Sequence, residues 1–195
     1  MNTPIGPLRA LFDATAANLR AVPDAYLEAI HRAIELVTQS FDSGGKLLVF
    51  GNGGSSSDAQ HIAAELVGRF ARQRAGLPAI ALTANEAVLT AWSNDHGFEG
   101  VFARQIEALG RAGDVAWGIS TSGNSPNVVA ALACARAKGL RTLGLTGEGG
   151  GRLAEHCDVL LAVPQSATPR IQELHVVTYH AICAAVEERL FDGVP

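Results

Sequence analysis

From residue 46 onwards, short apolar runs alternate with longer helical patterns, and this alternation restricts the fold more than any other feature of the chain. The runs read KLLVF (46–50), AIALT (79–83), DVAWGIS (114–120), RTLGLT (141–146) and DVLLAV (158–163). Runs that are apolar at consecutive positions are typical of parallel strands buried on both faces. Helices between such strands cover both sides of the sheet. The pattern therefore predicts a doubly wound, three-layer αβα sandwich with a five-stranded parallel sheet.

Helical periodicity precedes the first run and fills the segments between the others. Apolar residues recur every three or four positions over about 6–21 and again over about 24–43, which predicts two amphipathic N-terminal helices. Further helices are expected over about 56–72, 86–93, 97–109, 126–138 and 169–191. The chain contains no tandem repeat, low-complexity tract or internal linker. We therefore expect one domain over 1–195, with helices for packing or oligomerisation in 1–44 and the α/β core in 45–195.

Composition and charge argue against several classes of function. The net charge is −4, and lysine and arginine are scattered, so no basic surface for nucleic acid or membranes is expected. No apolar run approaches the ~20 residues of a membrane span, and the first ten residues lack the pattern of a signal peptide. The 3 cysteines are widely spaced and odd in number, which favours neither a disulfide framework nor a thiolate zinc site. We therefore expect a cytoplasmic protein without nucleic-acid or membrane partners.

The loop STSGNSPN follows the third predicted strand and carries an unusual number of hydroxyl groups. Ligands of open α/β sheets bind beyond the carboxyl ends of the strands. Pro126 is suited to the first position of a helix, and Ser125 before it is a good N-cap. An ordinary capped turn would explain this much, but four hydroxyl residues within six positions favour an anion at a helix N-terminus. Because the loop lacks the lysine of a nucleoside-triphosphatase loop, a monophosphate bound by neutral donors is the better interpretation.

The earlier loop, GNGGSSS, resembles only the opening of a dinucleotide-binding fingerprint. Gly51 and Gly53 fit its first two glycines, but Ser56 occupies the position of the last one. No acidic residue ends the next strand, AIALT, where a ribose-binding carboxylate would be expected. A Rossmann cofactor site is therefore disfavoured.

A histidine and a glutamate follow this loop at i and i+4, on one face of the predicted helix. Alone, His61 and Glu65 would most often form a solvated surface pair. The last helix adds Gln172 and His180 among apolar residues, and packing would explain either histidine taken singly. Together the four side chains suit a metal site rich in nitrogen and oxygen, or an acid–base pair. Gln172 and His180 are roughly 12 Å apart along a helix, which hints at a site between subunits.

Five segments resemble, in content and order, those of the sugar isomerase (SIS) domain family, and most closely its phosphoheptose isomerases. They are GNGGSSSDAQHIAAEL, SNDHGFE, GDVAWGISTSGNSPN, GLTGEGGG and RIQELH…YH, and they span nearly the whole chain. The resemblance implies the SIS fold, assembled as a homotetramer with active sites between subunits. It also implies aldose–ketose isomerisation of sedoheptulose 7-phosphate to D-glycero-D-manno-heptose 7-phosphate through an enediol, for heptose biosynthesis.

The same resemblance implies roles for individual residues. Glu65 matches the family's base and His180 its acid, while a zinc ion in each subunit would be held by His61, Glu65, Gln172 and His180. The residues implied to contact the substrate are Asn52, Gly53, Gly54, Ser55, Glu65, Arg69, Asn94, Asp95, Ser120, Thr121, Ser122, Ser125 and Gln172, with the four hydroxyl residues from Ser120 to Ser125 on the phosphate. Relatives often carry an acidic residue where this chain has Ala167, so that residue's contact is not expected here.

Two other functions fit the same loops. One is a non-catalytic SIS protein that binds a partner of the replication-initiator type, and the other is a domain that senses a phosphosugar. A binding module has no chemical need for both Glu65 and His180, so the pair favours an isomerase. A sensor is usually joined to a DNA-binding segment, whereas the N-terminal helices here have no basic face.

Overall fold

The computed structural model describes residues 5–192, which form five strands, seven α-helices and two short 3-10 turns. The strands are β1 Leu47–Gly51, β2 Ala79–Ala81, β3 Val115–Ser120, β4 Arg141–Thr146 and β5 Val159–Ala162. The helices are α1 Ile5–Arg20, α2 Asp24–Asp42, α3 Gly54–Val67, α4 Glu86–His96, α5 Val101–Leu109, α6 Pro126–Ala137 and α7 Thr168–Phe191. The 3-10 turns cover Phe98–Gly100 and Gly151–His156.

The five strands form one parallel sheet in the order β2-β1-β3-β4-β5. The predicted fold class and all five predicted strands are thereby confirmed. The chain reverses its direction of winding between β1 and β3, and open sheets of this kind leave a crevice at the carboxyl ends of those two strands. The glycine-rich loop follows β1 and the serine-rich loop follows β3, so the topology brings the two loops together.

Side chains of each central strand alternate between two hydrophobic cores on opposite faces of the sheet. Leu47 and Val49 of β1 face the core that contains α2, α3 and α7. Leu48 and Phe50 face the second core, against α5 and α6. Both faces are covered by helices, which explains why β1 and β3 are buried at every position and read as continuous apolar runs.

The two N-terminal helices differ in how far they are buried. The apolar stripe of α2 packs against α7 and the sheet, with Tyr26, Ala33 and Val37 buried. In contrast, α1 contributes no buried residue, and Ile5 and Phe12 are 78% and 71% exposed. The apolar face of α1 is therefore uncovered within one chain.

Boundaries were predicted less well than elements. The helix expected to reach residue 72 ends at Val67, and the connection between β4 and β5, for which no helix was predicted, contains the 3-10 turn Gly151–His156. The predicted domain limits at 1 and 195 lie outside the described residues. None of the helices between residues 5 and 192 combines the length and apolar character of a membrane span.

Stability should depend on pH through His175, a fully buried residue of α7. Its Nε2 donates to the Thr146 carbonyl at 3.1 Å, while its Nδ1 has no partner among the described residues. Burial lowers the pKa of this imidazole to about 4. The unfolded chain therefore binds an additional proton between about pH 6.5 and pH 4, so stability is complete above this window and declines as the pH falls through it.

We expect the free energy of unfolding to fall by about 3 kcal/mol between pH 7 and pH 4 because of His175. This contribution should be absent in His175→Gln, because glutamine cannot be protonated there. Urea unfolding at pH 7 and at successive steps down to pH 4 measures it. If the free energy of unfolding fell equally with pH in both proteins, the assignment to His175 would be contradicted.

Candidate active site

The two loops at the crevice are joined by a pair of asparagines. Asn52 follows β1 and Asn127 lies in the first turn of α6, and each side-chain amide donates to the other's Oδ1 at 2.8 Å. Both residues line a cavity of about 290 Å³, whose other lining residues are Phe98, Glu99, Ser125 and Pro126. A neighbouring cavity of about 230 Å³ is lined by Gly51, Asn52, Gly53, Ser56, Thr83, Leu89, Phe98 and Phe102. Asn52 and Gly53, two predicted sugar-binding residues, thus lie at open space beside the serine-rich loop.

The serine-rich loop concentrates its hydroxyl groups at the N-terminus of α6. The hydroxyl of Ser120 lies 2.9 Å from that of Ser125 and 3.5 Å from that of Ser122. Ser125 occupies the N-cap position, but its side chain makes no capping hydrogen bond, so the prediction that it caps the helix in the usual way is wrong. Its hydroxyl lies against Ser120 instead. Three of the four predicted phosphate hydroxyls, those of Ser120, Ser122 and Ser125, therefore form a cluster at a helix N-terminus, where an anion is favoured.

The shape of this loop depends on Gly123. It has a φ of +65°, and a Cβ there would lie 2.1 Å from the carbonyl oxygen of Gly150. The backbone of the β4 loop packs directly against it, with Leu153 N–H donating to the Gly123 carbonyl at 2.9 Å. The next loop of the sheet therefore supports the hydroxyl cluster from behind.

Three of the four predicted metal ligands converge between α3 and α7. His61 Nε2 lies 2.9 Å from Glu65 Oε1 and 3.5 Å from His180 Nε2. One ligand atom from each of the three residues lies within 4.8 Å of the others. Because all three belong to one chain, this part of the site forms without a second subunit.

The fourth predicted ligand, Gln172, is in the first turns of α7, and its side chain lies beside the beginning of α3. Its Nε2 would be 3.2 Å from a Cβ at Gly54, so the absence of a side chain at Gly54 makes room for it. Gln172 is beside Gly54, and His180 is beside His61. The helices α3 and α7 therefore run in the same direction, and the site lies along the contact between them. The amide thus lies at the glycine-rich loop and is not part of the histidine cluster of the same chain.

The other predicted substrate-binding residues occupy different positions. Ser55 is buried in the first turn of α3, and Thr121 is half-buried in the serine-rich loop. Arg69 lies beyond the end of α3 and is exposed, and among the described residues it makes no hydrogen bond to Glu65. Asn94 and Asp95, in the last turn of α4, are exposed and bonded to each other at 2.8 Å. Ala167 precedes α7 without a capping side chain.

Sequence patterns did not indicate Tyr179 and Asp58, which lie behind His61. The hydroxyl of Tyr179 is 3.0 Å from His61 Nδ1 and 3.4 Å from Asp58 Oδ1. Burial raises the pKa of Tyr179 beyond its usual range, and it also raises the pKa of Asp58. Tyr179 therefore stays a neutral hydroxyl. Two features of the sequence could have indicated them: Tyr179 has apolar neighbours in α7, and Asp58 lies one helical turn before His61.

A buried ion pair holds the end of α3, which carries Glu65. Arg74 Nε lies 2.8 Å from Glu187 Oε2, and the two side chains are 1% and 2% exposed. The same guanidinium donates to the carbonyls of Glu65 and Leu66 at 2.8 and 2.7 Å. Burial by itself raises the pKa of Glu187, but donation from three backbone N–H groups and from Arg74 lowers it to about 2. This explains why α3 ends at Val67 rather than at residue 72.

The sheet order, the hydroxyl-lined loop and the carboxylate–imidazole cluster together describe an SIS domain. A family model described as "SIS domain" matches residues 11–147, so the chain belongs to the SIS domain family. Within that family it belongs with the phosphoheptose isomerases. It is 54% identical to a phosphoheptose isomerase from Synechocystis sp. over 172 residues, which cover 88% of this chain and 89% of that protein.

Solved structures support the same relationship. The phosphoheptose isomerase from Neisseria gonorrhoeae has a TM-score of 0.89 at 42% identity, covering 95% of this chain and 100% of that one. The enzyme from Francisella tularensis has a TM-score of 0.87 at 34% identity, with 96% and 100% covered. The predicted family and the expectation of an enzyme are both confirmed.

Proposed function

We propose that the protein converts sedoheptulose 7-phosphate to D-glycero-D-manno-heptose 7-phosphate through an enediol. The names of its relatives support this substrate class. The observation that carries the proposal is the convergence of Glu65 and His180 beside His61, along the contact between α3 and α7 that leads from the two loops. A binding module would not need this pair.

The two groups divide the proton transfers between them. Glu65 removes the proton from the carbon next to the carbonyl and returns it to the neighbouring carbon, while His180 moves protons at the two oxygens. Glu65 Oε1 already lies against His61, and its side chain is 22% exposed, so substrate can reach it. Its half-buried position also keeps the carboxylate in contact with solvent for proton exchange.

The phosphate would bind at the serine-rich loop. Ser120, Thr121, Ser122 and Ser125 supply neutral hydroxyl donors, and the first turn of α6 supplies the positive end of a helix dipole. His61 lies seven residues after Gly54, about 10 Å along α3. We infer that the extended sugar phosphate runs from the serine-rich loop along α3, with its carbonyl end at Glu65.

The same cluster fits a zinc ion. Two imidazoles and one carboxylate within 4.8 Å are the nitrogen and oxygen donors that zinc prefers. His61, Glu65 and His180 of one chain would hold the ion. Gln172 lies against Gly54, roughly 12 Å along α7 from His180, so it would complete the set from a neighbouring subunit. A bound zinc would polarise the substrate carbonyl.

We further propose a homotetramer with sites between subunits. The uncovered apolar face of α1 supports association, because Ile5, Leu8, Leu11 and Phe12 are between 47% and 78% exposed. The cytoplasmic location stays a prediction.

If the serine-rich loop binds phosphate, replacing both Ser122 and Ser125 with alanine should raise KM. A hydrogen bond to a charged group contributes about 1.5–3 kcal/mol, so the loss of one or more corresponds to about tenfold or greater. The turnover number should change much less, because neither hydroxyl is near Glu65. Steady-state kinetics measures both. Ser43→Ala, at the exposed C-terminus of α2, is the control; equal KM values in the two variants would argue against the phosphate assignment.

The proposed function is tested by incubating purified protein with sedoheptulose 7-phosphate, with and without a chelator, and following aldose formation. We expect conversion by the zinc-supplied protein and slower conversion after chelation. Absence of conversion by folded, zinc-supplied protein would favour a binding module instead.

A further inference from the structure

The hydroxyl of Tyr179 lies between two groups that can both accept its proton. It is 3.0 Å from His61 Nδ1 and 3.4 Å from Asp58 Oδ1, and Tyr179 is 1% exposed. A neutral hydroxyl has one proton, so it can donate to only one of these partners at a time. The direction of this hydrogen bond decides which nitrogen of His61 carries a proton.

Without a cation, the position of Glu65 favours donation from Tyr179 to His61, because a carboxylate can only accept and therefore requires the proton of His61 on Nε2. The contact to Nδ1 is the shorter of the two, and His61 Nε2 then carries the proton and donates it to Glu65 Oε1 at 2.9 Å. At 3.4 Å the contact between Tyr179 and Asp58 is the longer of the two, and Asp58 is close enough to accept the hydroxyl proton when it turns away from His61.

A divalent cation at His61 Nε2 requires the lone pair of that nitrogen, and therefore the opposite arrangement. The proton of His61 must then be on Nδ1, which donates to the Tyr179 oxygen. The Tyr179 proton turns to Asp58, which is already within reach. Tyr179 and His61 each carry one proton before and after, so the change needs no proton acceptor beyond these side chains and solvent.

We propose that Tyr179, supported by Asp58, is a positioning residue that reverses its hydrogen bond and so allows His61 to offer Nε2 to a divalent cation. The inference rests on the proposed function, which assigns a zinc ion to this cluster. Groups behind a metal-bound histidine commonly fix its tautomer and ring orientation, and their loss weakens metal affinity. Neither Tyr179 nor Asp58 needs to contact substrate for this role.

Tyr179→Phe tests the hydroxyl without removing the ring. The aromatic ring packs edge-on against His61 and His180, with centroids 5.4 and 4.9 Å apart, and phenylalanine keeps that packing. Tyr26→Phe is a matched control, because Tyr26 is also buried and its hydroxyl lies 2.8 Å from Thr178 Oγ1, the neighbouring α7 residue, rather than against His61. Both variants lose one buried hydroxyl that contacts a side chain.

Zinc affinity of the metal-stripped proteins is measured by competition with a chromophoric chelator. We expect Tyr179→Phe to bind zinc about 10–100-fold more weakly than the unaltered protein, and Tyr26→Phe to stay within about twofold. A second readout is the ¹⁵N NMR spectrum of His61 at pH 8, which shows which ring nitrogen carries the proton. The proton should be on Nε2 in the stripped protein and on Nδ1 after zinc is added.

Equal zinc affinities of the two variants, an unchanged tautomer, or no zinc binding at all would overturn the inference. The proposed function is judged separately, by turnover of the unaltered protein. If zinc binding depends on Tyr179 but the protein shows no turnover, the isomerase function is wrong and the positioning role of Tyr179 stands. If the unaltered protein shows turnover but Tyr179→Phe binds zinc as tightly as it does, the isomerase function stands and the positioning role of Tyr179 is wrong.

Discussion

In Glu65→Gln we expect turnover of sedoheptulose 7-phosphate to fall about 10²–10⁴-fold, the range that a positioned general base contributes. Glutamine keeps the length of the side chain, and its Oε1 can still accept a hydrogen bond from His61, now 2.9 Å away. It cannot accept and return a carbon-bound proton. Phosphosugar binding should stay largely intact, because the serine-rich loop is unchanged. Steady-state kinetics and substrate titration measure the two quantities, with zinc content checked in parallel.

A second histidine–glutamate pair in the same chain provides the control. His31 and Glu35 are also at i and i+4, with Nε2 and Oε1 3.2 Å apart, but both side chains lie on the exposed face of α2. Glu35→Gln removes the same charge from the same kind of pair, and turnover should stay close to that of the unaltered protein. Near-normal turnover in Glu65→Gln would remove Glu65 as the base.

The largest effect on stability is expected for Glu187→Gln. The substitution leaves the Arg74 guanidinium buried without its counter-charge, and breaking a buried pair in this way costs about 3–5 kcal/mol. Glutamine also places an amide where Phe70, Ala71 and Arg72 direct backbone N–H groups at a carboxylate. Urea unfolding at neutral pH measures the change in the free energy of unfolding.

Glu107→Gln is the matched control for this change. Arg104 and Glu107 are 2.9 Å apart, but their side chains are 49% and 60% exposed, and such surface pairs contribute about 0–1 kcal/mol. Similar losses in Glu107→Gln and Glu187→Gln would contradict a structural role for the buried pair.

The sequence predicted those parts of the fold whose signal is local. Strands β1 and β3 are buried at every position, so each leaves a largely apolar run at its own position in the chain, and β4 is buried at every position after Arg141. The carboxyl-end loops and the pairing of His61 with Glu65 follow from topology and helical spacing alone. The grouping of His180 with this pair was a hypothesis from the polar residues of the last helix, to which the resemblance added a role. The structure brings the three side chains together, and their roles stay predictions.

Contacts between distant parts of the chain were not predictable in this way. The end of α3 is set by Arg74 and Glu187, and these residues are separated by more than a hundred positions. Tyr179 precedes His180 directly, which puts the two about 100° apart around a helix and gives no hint that both contact His61. The Asn52–Asn127 pair joins two loops from different strands. In each case the partner is identified only once the helices and strands are packed.

The claim that Glu65 moves one proton between adjacent carbons is tested most directly by running the reaction in D₂O and reading the aldose product by NMR. We predict deuterium at C2, because the carboxylate is partly exposed and can exchange its proton before returning it. A product formed at the normal rate without deuterium at C2 would contradict proton transfer through a solvent-accessible base.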